Sequence, residues 1–268
     1  MITHQIWNST GNVYNAFVYH RTHYPVHFHK SFELIYPIKG EMDAVVDRRA
    51  YHIGVGECLL VPPFVSHSID VVEGNACLVV VFSTRYAESA TKLFAKGVPR
   101  GHLLRVPGAH EGLIREVLVG STDTDSAMTV ALHRPPLLRL KACLYLLFDD
   151  FISQNPIEER STDGELAARM LAYLEEHYTS DLSLSDMAQK LGYSYDYLSR
   201  VFHQSFRVRF KVILNQYRCE HAMHLLLTTQ KPLSEISMDS GFQSIRSFNR
   251  VFMETVGKTP SEFRQSNR

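Results

Sequence analysis

The sequence has few cysteines, and their spacing excludes two classes of protein. The four cysteines of this 268-residue chain lie far apart at positions 58, 77, 143 and 219, and no CxxC pair occurs. This pattern disfavours both a disulfide-stapled secreted domain and a cysteine-based zinc site. We therefore expect Cys58, Cys77, Cys143 and Cys219 to be reduced core residues of a cytoplasmic protein.

Long apolar runs are also missing. The beginning of the chain, Met1 to Gln5, has no basic segment followed by an apolar one, so no signal peptide is expected. The most apolar helical candidate, residues 136–152, is interrupted by Arg139, Lys141, Asp149 and Asp150. A membrane span needs about 20 mostly apolar residues. We expect no membrane partner.

The net charge is zero overall, but the charged residues are unevenly distributed. The chain holds 28 basic and 28 acidic residues, whereas the segment from Leu182 onward holds 12 against 7, a net charge of +5. The preceding residues carry the balancing −5. A basic tail on an acidic body is typical of a polyanion-binding domain joined to a second domain, and the length allows two cores.

The first part of the chain is predicted to be a small β-barrel. Between Val13 and Phe82, short β-rich runs alternate with turns such as Lys39-Gly40. Short strands with tight connections indicate an antiparallel barrel or jelly roll, which encloses a pocket.

A histidine-rich stretch of this barrel carries a candidate site. His27, His29 and Glu33 form an HxHxxxE run with Gly40 seven positions later, and a glycine turn and a proline pair precede His67. These residues resemble the two motifs of the cupin barrels. In cupins that bind metal, the residues that match His27, His29, Glu33 and His67 are the metal ligands. The resemblance therefore implies that these four residues line the pocket of the barrel, where an effector would bind.

The chemistry of these four residues leaves two interpretations open. Alternate residues of a strand share a face, so His27 and His29 would lie together, and Glu33 would join them if one strand ran unbroken. Three imidazoles and a carboxylate suit Fe, Mn, Ni, Cu or Zn with open coordination positions. We favour a metal-free effector pocket or a hydrogen-bonded structural cluster, and expect no obligatory cofactor.

A strongly apolar helix and a polar linker are expected next. Arg134-Pro135-Pro136 begins a helix whose apolar residues cover more than one face as far as Ile152. The helix packs either on its own barrel alone or also on a second subunit, so a homodimer is one expectation. Asn155-Pro156 ends it, and polar residues follow to Gly164.

One pattern occurs twice in the C-terminal part. Gly192 to Phe202 is echoed by Gly241 to Phe252, and each copy contains a glycine, an aromatic residue, a capping serine and a helix. This predicts two helix-turn-helix units, at about 184–206 and 233–255. A helix over 210–227, ~27 Å long, would join them at a spacing close to one DNA turn.

The second helix of each unit is expected to face DNA. Arg246 and Arg250 suit guanine, and Asn249 suits adenine. Asp196 either accepts a hydrogen bond from cytosine or caps its helix. Arg200 either reads a base, holds phosphate or, because it lies beside core residues, has a partly structural role. The complete set of expected DNA-binding residues is Tyr195, Asp196, Ser199, Arg200, His203, Ile245, Arg246, Asn249 and Arg250.

The tail resembles the DNA-binding domain of the AraC/XylS family of bacterial transcription regulators over about residues 182–264. The resemblance rests on Leu198 to Phe202, on Phe248 to Phe252 and on Gly257-Lys258-Thr259-Pro260. Arg207 departs from the family, which has a glycine there; together with Arg209 and Lys211 it either contacts phosphate or forms a solvated basic face.

The resemblance implies an α+β multidomain protein, because a cupin barrel is the usual sensor partner in that family. Its parts would be a cupin-type effector-binding barrel (1–108), a helical dimerisation region (109–155), a linker (156–164) and an all-α DNA-binding domain (165–268). Such a chain is expected to be a regulator, most simply an activator, that binds double-stranded DNA, RNA polymerase and a small effector such as a sugar. The alternative is a metal-dependent cupin enzyme with a DNA-binding tail.

Overall fold

A computed structural model describes residues 3–4, 14–120, 130–131, 134–206 and 208–266. The chain separates into two compact units, Met1–Glu159 and Arg160–Arg268. The first is rich in strands and the second is helical, which confirms the predicted α+β organisation. No helix within the described ranges is long and apolar enough to cross a membrane.

Two main sheets build the first unit. Its strands are β1 (Thr3–His4), β2 (Tyr14–Tyr19), β3 (Thr22–Phe28), β4 (Phe32–Lys39), β5 (Glu41–Val46), β6 (Arg49–Gly54), β7 (Glu57–Val61), β8 (His67–Val71), β9 (Ala76–Phe82), β10 (Gly97–Pro99), β11 (Leu103–Arg105), β12 (Val130–Ala131) and β13 (Ile157–Glu159). One sheet has the order β11-β7-β4-β9-β2-β12 and the other β1-β3-β8-β5-β6. Among the described strands, β1 pairs parallel with β3 and the other pairs are antiparallel.

The central strands β4 and β9 are buried on both faces, and this places two cores back to back. On one face, Ile35 and Val79 pack between the sheets with residues such as Met42. On the other face, Phe32 and Phe82 pack against helix α3. Within the described residues, the α-helices of this unit are α1 (Glu88–Lys96), α2 (Gly108–Ile114) and α3 (Leu137–Gln154), with a 3-10 turn at Thr84–Tyr86 and a π-helical turn at Arg115–Val119. The two-sided burial explains why these strands are almost continuously apolar.

The segment after α3 returns to the first unit. Strand β13 pairs antiparallel with β10, matching Gly97 with Glu159 and Pro99 with Ile157. Arg100 Nε donates to Glu158 Oε1 at 2.7 Å. A Cβ atom at position 97 would overlap the carbonyl oxygen of Glu158, so this pairing requires glycine there.

The second unit contains seven helices within its described residues: α4 (Thr162–His177), α5 (Leu184–Leu191), α6 (Tyr195–Phe206), α7 (Phe210–Thr228), α8 (Leu233–Asp239), α9 (Ile245–Val256) and α10 (Pro260–Ser266). Ser183 and Asp186 form a capping box at the beginning of α5, and Gly192 ends α5 in the left-handed region at φ 79°. Helix pairs α5–α6 and α8–α9 are the two helix-turn-helix units, and α7 lies between them in the chain.

Arg218 of α7 anchors the loop that follows α4. Its side chain is largely buried and donates to the carbonyl oxygens of Tyr178 and Ser180, both at 2.8 Å. Its guanidinium also lies 5.9 Å from the centre of the Phe242 ring. One charged side chain thereby joins the end of α4, helix α7 and the turn between α8 and α9.

Candidate ligand site and nucleic-acid interface

Four buried side chains from separate parts of the barrel converge at one point. His27 lies on β3, His29 on the connection to β4, Glu33 on β4 and His67 on β8. Each offers a nitrogen or oxygen atom, and these atoms all lie within 4.8 Å of one another. Each residue is at most 2% exposed. The residues named by the sequence motif are therefore brought together.

His27 and Glu33 lie on two different strands, so the expectation that strand parity brings Glu33 to the histidines was wrong. The strand does not run unbroken from His27 to Glu33, because β3 ends at Phe28 and β4 begins at Phe32. These two strands belong to different sheets. His29 and Glu33 meet because the chain turns a corner between the sheets, where strand parity does not apply.

Backbone carbonyl groups fix the orientation of the three rings. The Nδ1 atoms of His27, His29 and His67 lie 2.9, 3.0 and 2.9 Å from the carbonyl oxygens of residues 25, 31 and 65. A carbonyl oxygen only accepts, so each Nδ1 carries a proton and the lone pair of a neutral ring lies on Nε2. All three Nε2 atoms are thus available on the side of the cluster.

These nitrogens face a carboxylate. His29 Nε2 lies 2.8 Å and His67 Nε2 lies 3.4 Å from Glu33 Oε2. His27 Nε2 is buried without a hydrogen-bond partner among the described residues. With Nδ1 already protonated, lone pairs on Nε2 and on the carboxylate would face one another. Only further protons or a bound cation can balance this arrangement.

The cluster shifts the pKa values of its members in opposite directions. Burial alone would raise the pKa of Glu33, but the nearby His67 and His29 outweigh burial and hold it below its usual range. Burial would lower the pKa of His67, and the Glu33 carboxylate raises it instead. Burial, and then His67, lowers the pKa of His27 to about 3. In the absence of a metal, His27 therefore stays neutral, and any additional proton of the cluster resides on another residue.

A pocket opens beside this cluster. It is narrow, with a cavity volume of about 10 Å³, close to the space that one water molecule needs, and is lined by Phe17, Tyr19, Tyr24, His27, Glu33, Ile69, Val79 and Val81. Burial, with the Glu33 carboxylate nearby, raises the pKa of Tyr19 to about 12, so its phenol stays neutral. The site therefore combines aromatic walls with a polar base.

Sequence reasoning missed the aromatic walls. A signal was available on β2, where Tyr14, Ala16 and Val18 are buried in one core while Phe17 and Tyr19 alternate with them. Alternation in a strand places the second set on the opposite face. Tyr24 lies on β3, a strand that was not predicted from its polar and proline-containing sequence.

The candidate DNA-binding residues lie on α6 and α9. On α6, Tyr195, Asp196, Arg200 and His203 are exposed and Ser199 is half-buried. On α9, Ile245, Arg246, Asn249 and Arg250 are exposed. The intervening apolar residues are buried, namely Leu198, Val201, Phe202, Phe248, Val251 and Phe252.

The three arginines of these helices differ in their surroundings. Arg250 Nη1 contacts both carboxylate oxygens of Glu254 at 2.9 and 3.0 Å. Arg200 contacts Gln204, Tyr197 and Asp163. Arg246 makes no hydrogen bond or ion pair with another residue of the described chain. Arg207 lies outside the described residues, and Arg209 is exposed.

Comparison with known families matches both units. A family model described as an AraC-like ligand binding domain matches residues 15–168. A second model, described as a helix-turn-helix domain, matches residues 187–266. The ligand-binding match covers more than half of the chain.

Solved structures share the fold across both units. ToxT of Vibrio cholerae, determined with a bound unsaturated fatty acid, covers 95% of this chain and 96% of its own at a TM-score of 0.56 and 16% identity. A second crystal form of ToxT gives a TM-score of 0.55 at 14% identity, with 94% and 97% coverage.

Sequence relatives match part of the chain. An HTH-type transcriptional regulator of Staphylococcus aureus is 38% identical over 92 residues, which is 34% of this chain and 12% of that protein. The Msm operon regulatory protein of Streptococcus mutans is 29% identical over 126 residues, 46% of this chain and 45% of that protein. The match therefore spans less than half the length of these relatives.

Proposed function

Since the chain belongs to the AraC family of DNA-binding transcription regulators with a ligand-binding domain, we propose that it switches a promoter in response to a small molecule bound in the barrel pocket. We propose further that it acts as an activator that engages RNA polymerase in the cytoplasm. The activator role and the polymerase contact rest on the family resemblance. The domain roles are those expected from sequence, with the barrel sensing and residues 165–268 binding DNA.

The effector is proposed to be a sugar or related metabolite. Phe17, Tyr19 and Tyr24 offer aromatic faces, which suit the C–H faces of a sugar ring, while the base of the pocket offers His27 and Glu33 for hydroxyl groups. A fatty acid, as in the ToxT structure, is the competing class. Calorimetric titration of the full chain with both classes separates them.

A divalent transition metal is proposed to bind His27, His29, Glu33 and His67. The observation that supports it is the convergence of three backbone-oriented Nε2 atoms on one buried carboxylate, with His27 Nε2 lacking a partner among the described residues. This donor set suits a nitrogen- and oxygen-binding metal. A bound ion would supply the positive charge that the lone pairs face and leave positions open toward the pocket.

Metal analysis of protein purified without chelator tests this proposal. We expect about one equivalent of a transition metal per chain, and its loss in His67→Ala. His23→Ala removes an exposed imidazole outside the cluster and should retain the metal. Absence of tight binding for Mn, Fe, Co, Ni, Cu and Zn would refute the metal and leave a metal-free effector pocket. Turnover of a bound organic ligand by the metal-loaded chain would instead support the enzyme alternative.

Base reading is proposed to reside in the exposed residues of α6 and α9. Arg246 is the leading guanine reader, because no neighbour among the described residues competes for its donors, and Asn249 suits adenine. Arg250 must exchange its Glu254 contacts for DNA. Helix α6 contributes Tyr195, Asp196, Ser199, Arg200 and His203, and Ile245 completes the set on α9.

Selection from randomised duplex DNA tests this assignment. Arg246→Ala should relax preference at one or two base pairs, by ~1–3 kcal/mol. Lys258→Ala removes the same charge from a residue outside α9 and should weaken binding evenly if at all. Equal losses for Arg246→Ala on selected and random DNA would contradict base reading by Arg246.

A homodimer is proposed to form through the outer face of α3. Leu140, Leu144 and Phe148 bury one side of this helix in the core between α3 and the sheet that contains β4 and β9. Leu138, 81% exposed, and Tyr145 remain accessible on the outer side. An apolar stripe of this kind is typical of an interface.

A further inference from the structure

Asp163 lies in the first turn of α4 and contacts α6, the second helix of the first helix-turn-helix unit. Its Oδ1 accepts a hydrogen bond of 2.7 Å from the hydroxyl group of Tyr197. Its Oδ2 lies 3.6 Å from Nη1 of Arg200. One carboxylate therefore contacts two side chains that are neighbours on the surface of α6, 34 and 37 positions later in the chain.

The same two α6 side chains contact each other. The Arg200 guanidinium carbon lies 4.9 Å from the centre of the Tyr197 ring, within cation–π distance. Arg200 Nη1 also donates to Gln204 Oε1 at 3.2 Å. Arg200 is thus held by a ring, a carboxylate and an amide, although its side chain is half exposed.

Such contacts restrict a long side chain that would otherwise sample many rotamers. Immobilising a flexible side chain on binding costs about 0.5–1.5 kcal/mol. An arginine that is oriented before DNA arrives avoids part of this cost. Because only Nη1 contacts the carboxylate and the amide, the other donors of the guanidinium stay available for a base edge.

Arg250 of α9, which occupies the position of Arg200 in the second copy of the repeat, has a different kind of support. Arg250 is paired with Glu254 on its own helix, one turn away. Asp163 instead belongs to a different helix, so its position depends on how α4 packs against α6. Orientation of Arg200 is therefore a property of tertiary packing, whereas that of Arg250 is local.

We propose that Asp163 is a positioning residue for DNA reading, which orients Arg200 directly and through Tyr197 and so sets base preference at the site of α6. This inference rests on the proposed role of Arg200 at the DNA. Asp163 itself need not touch the nucleic acid.

A simpler role for Asp163 is to stabilise the beginning of α4. Acidic residues in a first helical turn interact favourably with the helix dipole. Glu165 lies in the same turn and is exposed. Glu165→Gln removes one negative charge from this turn and leaves the contacts of Arg200 intact, so it is the matched control.

The test is selection from randomised duplex DNA with full-length protein, comparing the original chain with Asp163→Asn, Tyr197→Phe, Arg200→Ala and Glu165→Gln. Asp163→Asn should lower base preference by about threefold to tenfold at the base pairs that Arg200→Ala affects. This loss is a part of the ~5- to ~150-fold discrimination that a bidentate arginine provides. Tyr197→Phe should affect the same base pairs to a smaller degree. Base pairs sensitive to Arg246→Ala, and the whole profile of Glu165→Gln, should be unchanged.

Three outcomes would overturn the inference. Unchanged preference in Asp163→Asn at the base pairs of Arg200 would show that Arg200 needs no positioning. An even loss across the whole site, with a lower melting temperature, would assign Asp163 to general stability. No effect of Arg200→Ala would remove the premise while leaving base reading by α9 intact. If the original chain selects no sequence at all, the proposed function fails first.

Discussion

Alanine at Gly241 should damage the second helix-turn-helix unit more than alanine at Gly192 damages the first. Both glycines adopt left-handed backbone angles, φ 84° and φ 79°. That conformation costs an L-residue about 1–2 kcal/mol, and this cost is shared by both substitutions. A Cβ at position 192 would meet no atom within 4 Å among the described residues. At position 241 it would lie 2.7 Å from Cα and 2.8 Å from the carbonyl oxygen of Thr179.

The backbone around Thr179 cannot easily move away. Arg218 holds the carbonyl oxygens of the residues on either side, Tyr178 and Ser180. We therefore expect Gly241→Ala to lose an additional ~1–3 kcal/mol from overpacking. For a domain of about 100 residues, this lowers the melting midpoint by ~5–20 °C more than Gly192→Ala does.

Thermal unfolding of both variants, followed by far-ultraviolet circular dichroism, measures this difference. DNA selection adds a functional comparison, since Gly241→Ala should weaken base preference attributed to α9 before that attributed to α6. Equal midpoints for the two variants would refute the assigned contact with Thr179. Gly257→Ala, at φ 75° and without a neighbour within 4 Å among the described residues, is a second control.

Further predictions concern Arg218, the proposed dimer interface on α3 and the histidine cluster. Arg218→Met should destabilise the helical unit by about 3 kcal/mol in chemical denaturation, because two charge-assisted bonds are lost, whereas the exposed Arg209→Met should change stability little. Leu138→Glu combined with Tyr145→Glu should convert a dimer into a monomer in sedimentation; the control Val72→Glu changes an exposed residue elsewhere, and a persistent dimer would exclude this face of α3. In metal-free protein, the pKa of His27 is lowered from 6.5 to about 3, so the unfolded chain takes up this proton first and stability falls as the pH drops from 6.5 toward 3. His27→Gln should show a shallower fall in melting temperature over that window, and an unchanged slope would contradict a neutral, buried His27.

Sequence reasoning succeeded where the signal is local. The capping serines Ser194 and Ser244 and the left-handed Gly192 and Gly241 of the repeated pattern each depend on residues within a few positions. Through a family resemblance, the HxHxxxE motif named His27, His29 and Glu33, and the later proline and histidine motif named His67. The expectation of strand parity failed at the corner between β3 and β4.

Contacts between distant residues were beyond that reasoning. Nothing near Asp163 in the sequence indicates Tyr197, since their contact arises when α4 packs against α6. The pocket walls on β2 and β3 likewise depend on which strands face each other across the barrel. Pairing of β13 with β10 also depends on the fold, because a polar stretch such as residues 157–159 reads as a linker.

That pairing makes the connection between sensor and DNA-binding unit very short. Glu159 is the last residue of β13 and Thr162 the first of α4, so only Arg160 and Ser161 remain between regular elements. Even fully extended, two residues span only about 7 Å. A connector of this length cannot extend much further. If two chains bind DNA as a dimer, stretching of the connector can therefore add only about this distance per chain when base pairs are inserted between the target half-sites.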